Sequence, residues 1–409
     1  MDGEMGGQMD AQKDARMDAR MDGELTTTQV ADYLGVKVQT VYAYVSRGVL
    51  TPVRRAPGTG SLFALTDVRG LLQGGRAGRR GGPAASDDVR TQVTEVTAGR
   101  LAYRGHDVAD LAGTHTFEQV RELLVGMPSE APWPGRGERE SLTTLTGAMP
   151  DRTGVMDRFK HAVLVAGTTD LGRHDRSPTA FARAGARAAA FMGLSLPGAH
   201  PAPTGGPTLA ATLTTYLAGS PADLLDAALV LLADHDLAVS TTAVRVAVSS
   251  GADPYSALLA GLAAADSPLH LTASLQALDW LTGALHDPQA AIDAALTGRR
   301  PPGFGHVVYT EQDPRAQLLL DLLEPECDRA ELAALRTVEA ELLERRGWVL
   351  NVDVALALLV CTLRLPRDAG PVIFACARTA GWTAHAVEEL REPGMRFRLR
   401  GVYSGPRQS

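Results

Sequence analysis

The sequence predicts a mainly α protein of more than one domain, and three observations carry that expectation. The chain has 409 residues, more than one ordinary hydrophobic core organises. Aromatic residues are only 5% of it although 45% are apolar, so alanine and leucine supply most of the core, as in packed helices. Apolar residues recur at helical spacing in 117–124, 208–217, 222–234, 254–265, 315–323 and 372–390, whereas strand-like runs are few and short. The exception is 94–103, where Ala98-Gly99 reads as the turn of a small hairpin.

From the N-terminus, residues 1–24 hold seven acids and three basic residues in a Met-Asp-rich repeat without apolar periodicity, the pattern of a disordered acidic tail. Met1, Met5, Met9, Met17 and Met21 each offer a start. The charge then reverses: residues 25–82 carry Lys37 and seven arginines against Asp32 and Asp67, a balance of +6 in a chain of net −7. Within 25–73, residues 25–34 read as a capped amphipathic helix with Val30, Ala31 and Leu34 inward, Gly35-Val36 as a tight turn, and 38–45 as a second helix ending at Gly48. This segment resembles a helix-turn-helix of the MerR or excisionase type. The resemblance implies that the second helix offers Lys37, Gln39, Thr40, Tyr42 and Tyr44 to a DNA groove, with Arg47, Arg54 and Arg55 meeting phosphates. The alternative is a small helical module for protein contact or oligomerisation. Residues 74–88, rich in glycine and arginine, read as a linker, and the body of the protein occupies 89–409.

Several classes are disfavoured. Cys327, Cys361 and Cys376 are scattered, with no CxxC pair and no histidine at ligand spacing, so neither a disulfide framework nor a metal site is expected. No apolar run reaches the roughly 18 to 20 residues of a spanning helix, and the N-terminus lacks a secretory pattern. A cytoplasmic protein is the expectation.

Chemistry concentrates in a few places along the body. Gly303 and Gly305 let backbone approach a ligand around His306, and Asp313-Pro314 starts a helix that is expected to point Arg315 outward for bidentate carboxylate recognition. Arg378, Arg398 and Arg400 add cations. His235, between Asp234 and Asp236, is in helical step with Leu224, Ala228 and Leu231, so a core role is open to it. His270 follows Pro268 just beyond a helix begun by Asp253-Pro254, and Asp353 lies in the first turn of a helix that Asn351 can cap.

Taken in order, Tyr103-Arg104-Gly105, the segment ending at Asp234-His235-Asp236, the segment ending at Ser267-Pro268-Leu269-His270, the loop from Gly303 to Tyr309 with Asp313-Pro314-Arg315-Ala316, Asn351-Val352-Asp353 and Arg378 to Glu389 resemble the citrate synthase family over roughly residues 89–409. The resemblance implies a large helical domain and a smaller closing helical domain, about 271–367. It implies condensation of acetyl-CoA with oxaloacetate and water to give citrate and CoA, a reaction of the tricarboxylic acid cycle, without a separate cofactor or metal. By the same resemblance Asp353 is the general base, His270 donates to the thioester oxygen, and His306 polarises the ketone. His235, Arg315 and Arg378 bind substrate carboxylates, and Arg398 reaches the matching site of the second subunit of a homodimer.

The chain departs from the family at defined points. Leu271-Thr272-Ala273-Ser274 replaces the two glycines and asparagine that usually follow the catalytic histidine, and Val307 and Thr310 stand where basic residues are common, with Arg299 and Arg300 nearby. Leu399 replaces the proline usual between Arg398 and Arg400. Two alternatives accompany the synthase reading: a 2-methylcitrate synthase using propionyl-CoA, and a weakened synthase-like protein that senses a metabolite and regulates transcription through the N-terminal module.

Overall fold

A computed structural model of the protein describes residues 24–397 apart from 35, 57–59, 65–66, 69–88, 98, 130–132 and 200–207. Residues 1–23 of the expected acidic tail, the 74–88 linker, and Arg398 and Arg400 lie outside the described residues. The chain divides into two compact units, Met1–Val89 with Arg398–Ser409, and Arg90–Phe397.

In the first unit β1 (Glu24–Thr26) leads into α1 (Thr27–Leu34) and α2 (Val38–Ser46), followed by β2 (Arg54–Ala56) and β3 (Gly60–Ala64). The Thr26 hydroxyl accepts from the Gln29 amide at 3.3 Å and the Gln29 side chain accepts from the Thr26 amide at 2.8 Å, a reciprocal cap that starts α1 two residues later than the expected 25–34. Beyond α2, Gly48 turns the chain at φ 68°. Leu25, Val30, Ala31, Val41, Leu50 and Phe63 close a small core. The strands pair antiparallel in the order β1-β3-β2, a sheet absent from the sequence reading because its strands are too short for alternation to show.

Lys37, Gln39, Tyr42 and Arg47 are exposed and Thr40 is half-buried. Tyr44 departs from the expectation: it packs against the unit's core, with the Arg47 guanidinium 5.7 Å from its ring. Arg54 is engaged by Glu24 at 2.6 Å.

The second unit opens with β4 (Thr94–Thr97), β5 (Arg100–Tyr103) and β6 (His106–Asp107), antiparallel and in chain order. The first two are the expected hairpin. Fifteen helices follow among the described residues: α3 (Val108–Thr114), α4 (Phe117–Val125), α5 (Arg136–Gly147), α6 (Val155–Thr168), α7 (Pro178–Leu194), α8 (Leu209–Tyr216), α9 (Ala222–Leu232) and α10 (Val239–Ser249) come first. Then come α11 (Pro254–Ala265), α12 (Ala273–His286), α13 (Pro288–Thr297), α14 (Pro314–Leu323), α15 (Arg329–Arg346), α16 (Val352–Thr362) and α17 (Ala369–Glu389). The protein is mainly α, as its composition predicts.

The axis of this unit is α17, buried at nearly every position and packed against α4, α7, α9, α10 and α11. Small residues permit that crowding: a Cβ on Gly185 of α7 would stand 2.0 Å from Thr383 Oγ1, and one on Gly261 of α11 would stand 2.6 Å from a Val244 methyl of α10. Elsewhere α12 packs on α16, α13 on α15, and α14 on α16. No helix among the described residues is long and apolar enough to cross a membrane.

Candidate active site

Six of the expected site residues line one cavity of about 340 Å³ in the second unit: His235, His270, His306, Arg315, Asp353 and Arg378. They come from six separate stretches of chain, so their convergence is a property of the fold. The seventh, Arg398, lies outside the described residues.

His306 sits in a loop stitched to the segment before α16. The Gly305 amide donates to the Val349 carbonyl at 2.6 Å, the Asn351 amide to the Gly303 carbonyl at 2.9 Å, and the Asn351 side chain to the Gly305 carbonyl at 3.2 Å. Glycine is required at 303, where φ is 78° and a Cβ would meet a Val354 methyl at 2.4 Å. Two backbone amides, those of Val308 at 3.0 Å and Tyr309 at 3.2 Å, donate to His306 Nδ1. The ring proton therefore sits on Nε2. Burial, with Arg315 adding to it, holds the imidazole below its ordinary pKa.

Arg315 is not outward. It is buried, because Asp313 turns it back: the carboxylate accepts from Arg315 Nε at 3.0 Å and Nη2 at 2.7 Å. Asp313 also accepts from the Arg315 amide at 3.1 Å and the Val352 amide at 3.2 Å, so one buried carboxylate caps α14 and ties it to the start of α16. That tie places Arg315 beside Asp353.

Asp353 occupies the first turn of α16, and the Asn351 side chain accepts its amide at 2.9 Å, as the sequence implies. Its Oδ1 is shielded from solvent and finds no hydrogen-bond partner among the described residues. Burial pushes the carboxyl up to about 7, against the opposing pull of Arg315.

His270 follows α11 in a tight turn. Trp382 Nε1 donates to Ser240 Oγ at 3.2 Å, which leaves the Ser240 hydroxyl proton for His270 Nε2 at 2.8 Å. An indole can only donate; with the Ser240 hydroxyl donating in turn to Nε2, His270 presents Nδ1–H. Burial lowers the imidazole pKa to about 4, with Arg378 acting in the same direction. In the altered stretch after His270, Leu271 and Ser274 turn into the core, so only Thr272 and Ala273 of the four retain partial exposure.

His235 corrects a second expectation. It lies beyond α9, which stops at Leu232: the Asp234 amide, which would bond Val230 to continue the helix, donates to the Tyr103 hydroxyl at 3.1 Å. The Tyr103 hydroxyl is within 3.1 Å of Val230 O and 3.0 Å of Asp234 O, and the Gly381 amide donates to Ala233 O at 3.0 Å. Asp236 then turns the chain at φ 52°. Released from the helix, the His235 ring reaches the Tyr309 hydroxyl at 3.1 Å and meets His306 edge to face at 5.2 Å. Burial, Arg315 and Arg378 keep it neutral.

Arg378 projects from α17 over the Phe374 ring at 4.9 Å. It is 1% exposed, yet its Nε and Nη1 have no acceptor among the described residues. Unmatched buried donors of this kind cost stability unless a ligand takes them. Part of the lining is apolar and open: Val239, Leu269 and Val307 line the cavity at 64%, 96% and 99% exposure.

Asp313, Tyr309, Ser240 and Trp382 were not assigned roles from sequence. Asp313-Pro314 did carry a helix-start signal that marks the first; Ser240 and Trp382 are joined only by the packing of α10 on α17.

Comparison with known proteins agrees with this geometry. The family described as citrate synthase, C-terminal domain, matches residues 86–400, and a helix-turn-helix domain matches 24–76. A Mycobacterium tuberculosis relative, whose name of citrate synthase is provisional, is 31% identical over 354 residues, covering 78% of this chain and 92% of its own. The peroxisomal citrate synthase of Dictyostelium discoideum is 27% identical over 374 residues, covering 75% of this chain and 72% of its own. Among solved structures, citrate synthase from Thermotoga maritima is similar with a TM-score of 0.65 at 24% identity, covering 80% of this chain and 95% of that one. The enzyme from Pyrobaculum aerophilum gives 0.67 at 22%, covering 88% and 97%. A third, from Thermoplasma acidophilum, was solved with carboxymethyl coenzyme A and oxaloacetate and gives 0.59 at 23%, covering 80% and 96%. With its family match across 86–400 and its six residues gathered in one cleft, the chain belongs to the citrate synthase family.

Proposed function

We propose that the chain condenses a short acyl-CoA, acetyl-CoA first, with oxaloacetate and releases citrate and free CoA. The observation that carries this reading is the pairing, in one cavity, of a carboxyl poised near neutrality with two buried arginines and three neutral imidazoles. Asp353 takes a proton from the methyl carbon next to the thioester, while His270 Nδ1–H donates to the thioester oxygen so that an enol develops. The enol carbon bonds to the ketone carbon, and His306 Nε2–H supplies the proton for the new alkoxide. Water then cleaves the thioester. Arg315, Arg378 and His235 hold the keto acid, and the apolar wall of Val239, Leu269 and Val307 faces the hydrocarbon of the acyl-CoA. The acyl-CoA is a substrate, and no separate cofactor enters the scheme. By family resemblance, Arg398 of a second copy completes the site in a homodimer.

Purified protein with oxaloacetate and either acetyl-CoA or propionyl-CoA should release thiol, and the ratio of kcat/KM assigns a citrate or a 2-methylcitrate synthase. Absence of release with both overturns the reading. A second activity is favoured by the exposed face of α2, where Lys37, Gln39, Tyr42 and Arg47 stand clear beside half-buried Thr40. We assign to it duplex contact, with the expectation that binding weakens steeply as salt rises. Salt-independent or undetectable binding leaves the unit as a protein-contact module.

A further inference from the structure

A row of charged groups, fully buried at Arg245, His385 and Asp234, runs through the second unit. Arg396 holds Glu389 at 2.7 and 2.5 Å; Arg245 donates to Glu389 at 2.9 Å and Glu388 at 2.6 Å. Arg245 Nη1 also faces His385 Nδ1 at 3.0 Å, and His385 Nε2 faces Asp234 Oδ2 at 3.2 Å. Arg245, His385 and Asp234 are each 0% exposed.

A guanidinium can only donate, so His385 Nδ1 accepts and the ring proton lies on Nε2, pointed at Asp234. An imidazolium would set two donors against each other at Nδ1. Asp234 also accepts from the Thr94 hydroxyl at 2.5 Å, and it is pressed against α17, where a Cβ on Gly381 would stand 2.1 Å from its Oδ1. That contact sets Asp234 one helical turn from Arg378, and against the cost of burial His385 first and then Arg378 hold its carboxyl below the usual carboxylate range. A hydrocarbon row of the same shape would stabilise the fold as well or better, so packing alone gives no reason for this one.

We propose that His385 is a positioning residue: as the neutral Nε2–H tautomer it fixes Asp234 as the counter-charge of Arg378, leaving Arg378 Nε and Nη1 free for a substrate carboxylate. This rests on the keto-acid reading of the cavity. The test compares His385→Gln, whose amide can both accept from Arg245 and donate to Asp234, with His385→Leu, which keeps bulk and loses both bonds. Oxaloacetate affinity by calorimetry should be near wild type in His385→Gln and at least about tenfold weaker in His385→Leu, with kcat within about threefold in both. A purely structural chain predicts lower thermal stability in His385→Leu with unchanged affinity, and that result overturns the proposal. Nitrogen NMR of the wild-type imidazole gives a measurement that needs no variant: an Nδ1–H tautomer also overturns it. If wild-type protein fails to bind oxaloacetate, the functional reading falls, while the tautomer still decides the arrangement of the chain.

Discussion

Replacement of Asp353 by Asn separates catalysis from binding and stability more cleanly than any other change at the site. The amide is isosteric and cannot take a proton, and loss of a positioned general base costs about a factor of 10² to 10⁴ in turnover. Because the carboxyl sits at about 7, wild-type kcat/KM should rise about tenfold per pH unit below that value and level off above it. The stability of the fold moves the other way. A carboxyl raised from 3.8 to about 7 favours the folded state fully below pH 4, and that contribution is lost as pH rises through 7. The shift corresponds to about 4 kcal/mol, an upper bound that the partial exposure of Asp353 brings toward about 2 kcal/mol. Asp353→Asn should therefore match wild type at pH 4 and exceed it by about 2 to 4 kcal/mol at pH 8 in denaturant titrations, while thiol release collapses and oxaloacetate affinity holds. Turnover within tenfold of wild type, or a flat pH profile between pH 6 and pH 8, refutes the assignment of the base.

Three other changes test the surrounding shell. Ser240→Ala removes the donor that fixes the His270 tautomer, so kcat should fall about tenfold or more with oxaloacetate affinity unchanged, and an unaltered kcat counts against the Trp382-Ser240-His270 relay. Gly381→Ala forces a methyl to within 2.1 Å of Asp234 Oδ1 and 2.7 Å of the Ala233 carbonyl, neither on a flexible arm. It should cost about 2 to 3 kcal/mol in chemical denaturation, and a midpoint equal to wild type contradicts the packing described. Val307→Arg adds a cation at a position 99% exposed, so stability should not change, whereas the KM for acyl-CoA should drop several-fold at low salt. A KM independent of the substitution and of salt removes Val307 from the path of the CoA phosphates.

Much of this site was legible because its residues announce themselves by local chemistry. Asp313-Pro314 and Asn351 are helix starts by composition, and Gly303 and Gly305 come just before His306, so these segments were placed before any packing was known. What sequence missed was the consequence of burial. Arg315 was expected to face outward because a helix start on the surface would leave it so, yet a carboxylate two residues earlier folds it inward. His235 fitted a helical stripe, but the hydroxyl of Tyr103, 131 residues from Asp234, stands between the Asp234 amide and the Val230 carbonyl whose bond would have extended α9. Helices α3, α5, α6, α7, α10, α12, α13 and α15 were not individually foreseen. The case of α7 shows why: it is so rich in alanine and so buried that no polar face marks its period.

Charge explains why those inward turns serve the chemistry. Two arginines in the cavity wall are each balanced by a buried carboxylate, Arg315 by Asp313 in direct contact and Arg378 by Asp234 through space. The three histidines are kept neutral, chiefly by burial. Were they cationic, three further charges would surround Asp353 and draw its pKa down, leaving a carboxylate too weak to take a carbon-bound proton. In the proposed condensation, neutral rings at 270 and 306 donate to developing oxygen charge without weakening the base. The same burial that raises Asp353 lowers the histidines, so a single physical condition, withdrawal of these side chains from water, sets both halves of the proposed acid–base pair.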